Sequence, residues 1–122
     1  MEEAATNDIH RIGGGGIENL RLKTTDAGLN PPGLSVLKAS TPADAARQIR
    51  EALPEATDLS KAARIVGSTN AAMIRQAGFD VIPKPTRKLP NHCRIIHPGG
   101  AAGFNDENLK RLSEAFTNTT EE

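Results

Sequence analysis

The stretch FDVIPKPTRKLPNHCRIIHPGGAAGF, residues 79–104, decides how this chain is interpreted. It holds two short β-type runs, residues 79–82 and 92–97, joined by a segment that contains three prolines. Proline has no backbone N–H and interrupts a strand ladder, so the two runs are separate strands. A connection of about nine residues is long for a tight hairpin but compatible with an antiparallel pair that carries a protruding loop. We predict that the domain is organised around this strand pair.

The clearest helix signal upstream of the pair covers residues 42–53. Thr41 is a good N-cap, and Pro42 suits the first helical position, where its missing N–H would have no helical partner. Apolar residues recur at helical spacing along one side, and Pro54 ends the segment. Residues 34–37, Leu-Ser-Val-Leu, form a short strand candidate before this helix.

Three further helices complete the predicted domain, which spans residues 33–117. Two short helices, residues 58–66 and 69–77, each end at a glycine, and a closing helix covers residues 107–116. The mixture predicts the α+β class, as a small sheet of two to four strands packed against three to four short helices. The alternative is a small βαβ arrangement, in which residues 34–37 lie parallel to residues 79–82 across the intervening helices.

Both ends of the chain are expected to lie outside this domain. We interpret residues 1–32 as a flexible N-terminal arm, because its start is polar and the glycines at 13–16 favour a flexible linker. A phosphate-binding loop would need a strand before these glycines and Lys followed by Ser or Thr after them. Residues 8–12 make a poor strand, and no such pair follows. Residues 118–122 are predicted to form a disordered tail.

Composition excludes several classes of protein. The 15 basic and 15 acidic residues give a net charge of zero, so the overall field does not favour nucleic acid or a membrane surface. A single cysteine excludes an internal disulfide and a cysteine-based zinc site. No apolar run has the length of a membrane span, and the acidic start differs from a signal peptide. We expect a cytoplasmic protein with no membrane partner and no metal site.

Strand alternation divides the candidate site residues between the two faces of the second run. His92 and Arg94 share one face, and His97 belongs to the other, at the end of the strand. The loop before the strand supplies three more cations: Lys84, Arg87 and Lys88. We expect this loop to fold over the face that carries His92.

Such a constellation is suited to chemistry on phosphate. Imidazole titrates near neutral pH and can exchange a proton with a hydroxyl group. Guanidinium and ammonium groups hold a phosphate or a developing oxyanion. We predict His92, Arg94 and His97 as catalytic residues and the three loop cations as substrate-binding residues, in a metal-independent ribonuclease or a site for a phosphate-bearing cofactor. In the alternative, His92 caps a turn and the loop is merely solvated.

Several short motifs resemble those of small bacterial toxin or effector modules, some ADP-ribosyltransferase-like and others ribonuclease-like. They are Gly33-Leu34-Ser35-Val36, Gly78-Phe79-Asp80-Val81-Ile82-Pro83 and Pro90-Asn91-His92, followed by the closing helix. The resemblance covers about 85 residues and implies a bacterial protein that acts on RNA or a nucleotide. The transferases' Arg or His on the first strand and their late Glu are not matched here. Ser35 and either Glu107 or Glu114 are only loose stand-ins.

Two hypotheses follow from these residues. In the first, the protein is a small toxin or effector enzyme that handles RNA or a nucleotide, with no cofactor assigned. In the second, it is a non-enzymatic binding module or accessory subunit, whose N-terminal arm orders on a protein partner such as an inhibitor. A growth assay separates them, because only an enzyme of the first kind slows growth in a manner that depends on His92.

Overall fold

Six antiparallel strands form one sheet across residues 8–120, the part of the chain that this computed structural model describes. The strands are β1 (Asp8–Ile12), β2 (Leu34–Lys38), β3 (Ile65–Asn70), β4 (Asp80–Pro83), β5 (His92–Ile96) and β6 (Thr117–Thr120). Their order across the sheet is β4–β5–β2–β1–β3–β6. The first two strands of the sequence therefore lie in its middle, and β4 and β6 are its edges.

Helices cover both faces of the sheet. They are α1 (Ile17–Leu20), α2 (Thr24–Ala27), α3 (Pro42–Ala52), α4 (Thr57–Ala62), α5 (Ala71–Gln76) and α6 (Asp106–Glu114). Apolar residues of α3 pack on one face together with Leu37 and Val66. Apolar residues of α1, α5 and α6 pack on the other face together with Val36 and Ile95. We call these the α3 face and the α6 face.

The helix predicted at 42–53 is confirmed as α3. The Thr41 hydroxyl accepts a hydrogen bond from the Asp44 N–H at 3.0 Å, and Pro42 occupies the first turn. The side that faces the sheet carries mainly small residues, Ala45 and Ala46 with Ile49. Small side chains let a helix lie close to the strands, so a core with few aromatic residues can still be filled.

Strand β2 is buried on both faces, as expected for a central strand. Leu34 and Val36 belong to the core of the α6 face, and Leu37 belongs to that of the α3 face. The predicted strand at 34–37 is confirmed, and so is the antiparallel pair of β4 and β5. The βαβ alternative has the right orientation but the wrong sheet. β2 and β4 run in the same direction because each is antiparallel to β5. β5 lies between them, however, and every ladder of the sheet is antiparallel.

The predicted sheet of two to four strands is too small, and β3 accounts for part of the error. Residues 65–70, Ile-Val-Gly-Ser-Thr-Asn, were divided between two predicted helices with Gly67 as a stop signal. The β-branched residues of this segment favour a strand instead. Gly67 is required because a Cβ there would lie 2.5 Å from the backbone nitrogen of Gly15, which crosses the strand.

The expected N-terminal arm supplies another part of the sheet. Within the described residues of the arm, 8–12 form the strand between β2 and β3, so order begins well before Gly33. The glycines at 13–16 are a packed corner rather than a free linker, because the Gly13 N–H donates to the Ile65 carbonyl at 2.8 Å. A strand that looks polar in isolation is stabilised here by two neighbouring ladders. Residues 1–7 of the arm lie outside the described residues.

The expected disordered tail overlaps the last strand. Residues 117–120 form β6, which pairs with β3 from Ser68↔Thr117 to Ile65↔Thr120. All four residues of β6 are exposed, so backbone pairing rather than apolar burial holds this edge. Residues 121–122 lie outside the described residues. Over residues 8–120, no helix combines the length and apolar character that crossing a membrane requires.

Candidate functional site

A cavity of about 370 Å³ separates the α3 face of the sheet from α3 and α4. Its apolar wall includes Leu37 of the sheet, Ile49 of α3 and Leu59 of α4. Polar and charged residues also line it: His10, Arg11, Asn19, Lys23, Ser35 and His92. A mainly apolar cavity of this size with a few polar groups is typical of a small-molecule site.

Arg11 enters this cavity because the ladder between β1 and β2 is short. The two strands pair only at Ile9↔Lys38 and His10↔Leu37. Beyond these pairs, the Arg11 guanidinium donates hydrogen bonds to backbone carbonyl oxygens. Its Nη1 donates to the Ser35 carbonyl at 2.8 Å, and its Nε and Nη2 donate to the Asn19 carbonyl at 3.1 and 2.8 Å. These acceptors are neutral, so the arginine's charge is not cancelled by a hydrogen-bonded carboxylate.

The electrostatic surroundings of Arg11 are those of a half-buried cation. Burial lowers the pKa of Arg11 from its ordinary value, and the charge of Asp26 acts in the opposite direction. Arginine nevertheless stays protonated in proteins. Asp26 itself accepts a hydrogen bond from the Lys23 backbone N–H at 3.0 Å, at the start of α2. The cavity is therefore lined by two cations, Arg11 and Lys23, and the carboxylate of Asp26 is close enough to act on Arg11.

His92 lines the same cavity with a fixed tautomer. Its Nδ1 lies 2.9 Å from the Lys84 carbonyl oxygen. A carbonyl only accepts hydrogen bonds, so Nδ1 carries the proton and Nε2 of the neutral ring is the acceptor. The ring is half-buried, and β5 places it opposite Leu37 of β2. His92 is thus oriented as a general base.

The three loop cations do not share this cavity. Lys84 pairs with β5 through its backbone, where its N–H donates to the His92 carbonyl at 2.9 Å. Arg87 is exposed on the loop. Lys88 is also exposed and lines two shallow grooves, one with Glu51 of α3 and one with Glu55. The loop leads away from His92 toward α3 rather than folding over the strand.

Arg94 lies on the same face of β5 as His92 but contacts the segment that precedes β2. Its Nη1 donates to the Pro31 carbonyl at 3.0 Å, and its Nε is buried without a hydrogen-bond partner among the described residues. Its side chain also crosses Gly33, where an added Cβ would lie 2.6 Å from the arginine Cγ. Arg94 thus holds the chain that enters β2 and does not line the cavity.

His97 lies on the α6 face, as strand alternation predicts. Its Nδ1 accepts a hydrogen bond from the Gly99 N–H at 2.9 Å. Its ring meets that of Phe79 edge-on, with centroids 4.9 Å apart and an interplanar angle of 75°. These contacts organise the turn after β5 on the side opposite to His92.

The residues that would replace the catalytic residues of the toxin modules also lie on different faces of the sheet. Ser35 is exposed at the cavity, and its carbonyl holds Arg11. Glu107 and Glu114 are exposed on α6, whose buried residues pack on the other face. The structure therefore does not bring these glutamates together with Ser35.

Arg11 and Lys23 were missed by sequence reasoning because both lie in the segment interpreted as a flexible arm. The only local signal was the pair of β-branched residues Ile9 and Ile12, and their three-residue spacing does not show the alternation of a strand. Within residues 8–120, no group of three or more His, Cys, Asp or Glu side chains is arranged to hold a metal ion.

Comparison of this chain with protein-family models, with characterised proteins and with solved structures finds no significant match.

Proposed function

We propose that the protein binds a nucleotide, free or within RNA, in the cavity between the sheet and α3, and that His92 transfers a proton in a reaction on that substrate. The observation that supports this proposal is the convergence of Arg11, Lys23 and His92 on one cavity. The cations supply attraction for phosphate, and the imidazole supplies a base at neutral pH.

Arg11 retains donors for a ligand. A guanidinium has five N–H groups, and three of them are engaged with the Asn19 and Ser35 carbonyls. Five minus three leaves two N–H groups, together with the full positive charge. The three existing bonds fix the plane of the group, so little side-chain freedom is lost when an anion binds.

The apolar wall suits the rest of a nucleotide. Leu37, Ile49 and Leu59 line the cavity with the two cations and offer aliphatic contact for a base or ribose. Among residues 8–120, no Phe, Tyr or Trp lines the cavity, so the base stacking on these rings that gives single-strand binders much of their affinity is not provided. We therefore expect recognition of one nucleotide unit through its phosphate rather than of a long RNA sequence.

The chemistry we propose is a transfer at phosphorus. His92 Nε2 takes the proton of a ribose 2′-hydroxyl, the 2′-oxygen attacks phosphorus, and the bond from phosphorus to the 5′-oxygen breaks. The leaving oxygen takes a proton from the imidazolium or from water. Arg11 and Lys23 neutralise the charge on the non-bridging oxygens as it develops. In a bacterial cytoplasm, this activity would make the protein a growth-slowing toxin or effector.

The binding step is tested by isothermal titration of the protein with adenosine monophosphate. Lys23→Met should weaken binding by about tenfold or more, because a charge-assisted hydrogen bond contributes about 1.5–3 kcal/mol. Lys110→Met is the matched control, since Lys110 is also exposed but lies on α6 across the sheet. Equal affinities for the two variants would contradict the proposal.

The chemical step is tested separately with a fluorescently labelled oligoribonucleotide and with a growth assay. His92→Ala should abolish cleavage and the slowing of growth, while its nucleotide affinity stays within a few-fold of the wild type. Cleavage that survives in His92→Ala would remove His92 from the mechanism. Binding by a wild-type protein that neither cleaves RNA nor slows growth would establish a binding module instead of an enzyme.

A further inference from the structure

A serine and a histidine form a hydrogen-bonded pair on the α3 face, outside the proposed phosphate chemistry. Ser68 of β3 and His10 of β1 are direct partners in their ladder, and Ser68 Oγ lies 2.8 Å from His10 Nδ1. The other ring nitrogen, Nε2, lies 2.9 Å from the Ala39 carbonyl oxygen. A serine, an imidazole and a group that orients the imidazole are the elements by which a hydroxyl becomes a nucleophile.

The positions of the protons follow from these partners. The Ala39 carbonyl can only accept, so His10 Nε2 carries a hydrogen. In the neutral ring Nδ1 then has a lone pair, and the Ser68 hydroxyl donates to it. The serine proton is therefore already directed at the base that would remove it. Each ring nitrogen of His10 has a hydrogen-bond partner, and the residue is only 1% exposed. The ring is therefore held in one orientation.

The serine is more accessible than its partner. Ser68 is half-buried, and Val66, its neighbour on the same face of β3, lines a separate cavity of about 110 Å³ with Ala46 and Thr119. Residues two apart on a strand are about 7 Å apart. An apolar cavity of about 150 Å³ accommodates benzene. The smaller cavity, which begins at Val66 rather than at Ser68 itself, is therefore of a size for an acyl chain of a few carbons that extends from Ser68.

We propose that Ser68 is an activated nucleophile, with His10 as its general base, and that it accepts the acyl group of short-chain carboxylic esters. Ser68 Oγ forms a bond to the carbonyl carbon, and its proton moves to His10 Nδ1. The bond from that carbon to the alkoxy oxygen breaks, and the leaving oxygen takes the proton from His10. Water then attacks the acyl-serine by the same route and releases the carboxylic acid.

The first test is covalent labelling of the full chain with a fluorophosphonate. Attack by Ser68 Oγ on phosphorus expels fluoride, and mass spectrometry of the digested protein locates the adduct. We expect labelling at Ser68 and none at Ser35, which is exposed but has no imidazole partner among the described residues. An unlabelled wild-type protein, or equal labelling of the two serines, would overturn the proposal.

The second test is hydrolysis of p-nitrophenyl esters. His10→Gln should slow acylation by about 100-fold or more, because the glutamine amide can still donate to the Ala39 carbonyl but is not a base. Ser68→Ala leaves the buried histidine in place and should abolish hydrolysis even if His10→Gln folds poorly. The acetate should react at least ten times faster than the decanoate. Hydrolysis that is unchanged in Ser68→Ala, or a faster decanoate, would refute the assignment.

Discussion

Gly15→Ala is the substitution that most directly tests the packed glycine corner. A Cβ at residue 15 would overlap the Cβ and Cγ of Phe116 and would lie 3.0 Å from its Cδ2. The backbone around residue 15 cannot move away freely, because the Gly15 N–H donates to Asn118 Oδ1 at 2.9 Å and the Ser113 hydroxyl donates to the Gly15 carbonyl at 2.6 Å. The added methyl must therefore displace Phe116, and the backbone shift that accompanies this breaks one of these hydrogen bonds.

The expected loss of stability follows from those two routes. Overpacking a filled site costs about 1–3 kcal/mol, and one lost hydrogen bond adds about 0.5–1.5 kcal/mol. We expect the free energy of unfolding to fall by about 2–4 kcal/mol. For a chain of this size, about 4 °C is lost per kcal/mol, so Tm should fall by about 8–16 °C. Urea unfolding followed by circular dichroism measures the first quantity, and a thermal scan measures the second.

Gly16→Ala is the matched control, one residue away in the same glycine run. No atom lies within 4 Å of a Cβ at Gly16, and its φ of −69° is accessible to alanine. A change of less than about 0.5 kcal/mol is expected there. If residues 13–16 formed a free linker, both substitutions would be equally harmless. Equal stabilities of Gly15→Ala and Gly16→Ala would therefore refute the packed corner and the position of β1 that depends on it.

Three further outcomes are expected. Leu20→Ala should lower the free energy of unfolding by about 2–5 kcal/mol in urea titrations, because the Leu20 side chain is fully buried. Burial raises the pKa of the Cys93 thiol, so a disulfide reagent should modify it slowly in the native protein and rapidly in denaturant. The Val81 N–H and then the Arg75 guanidinium hold the pKa of Asp80 below its ordinary value. These two interactions with the Asp80 carboxylate therefore stabilise the folded protein above the unfolded pKa of about 3.9, and the stabilisation is lost as pH falls through the lower folded pKa. NMR titration should show a higher pKa for Asp80 in Arg75→Ala than in the wild type.

The parts of the fold that could be predicted from the sequence are those with local signals. α3 has a capping threonine, a proline in its first turn and an apolar side, and all three act within the helix itself. The β4–β5 pair is marked by prolines between two apolar runs. The prediction fails where contacts between segments distant in the sequence determine the secondary structure. Gly67 resembles a helix stop in the sequence, yet it marks the point where the chain at Gly15 crosses a strand.

The same distinction separates the site residues. Alternation correctly divides His92 from His97, because the period of a strand is a local property. The positions of Arg87 and Lys88 depend on the path of a loop, which alternation does not describe. The position of Arg11 depends on where the β1–β2 ladder ends, and this is a property of two strands that are distant in the sequence.

Strand register, rather than sequence proximity, explains which histidines can act on the same surface. His92 lies opposite Leu37, Leu37 lies opposite His10, and His10 lies opposite Ser68, so one row of side chains crosses four strands on the α3 face. Neighbouring strands are about 4.8 Å apart, which places the two histidine backbones about 10 Å from each other. Leu37 fills the space between them and is 2% exposed. A slip of one residue in β2 would move Leu37 to the α6 face and Val36 into the row. The row therefore places His92, the base of the proposed phosphate chemistry, and His10, the base of the proposed serine chemistry, on the same face of the sheet with Leu37 between them.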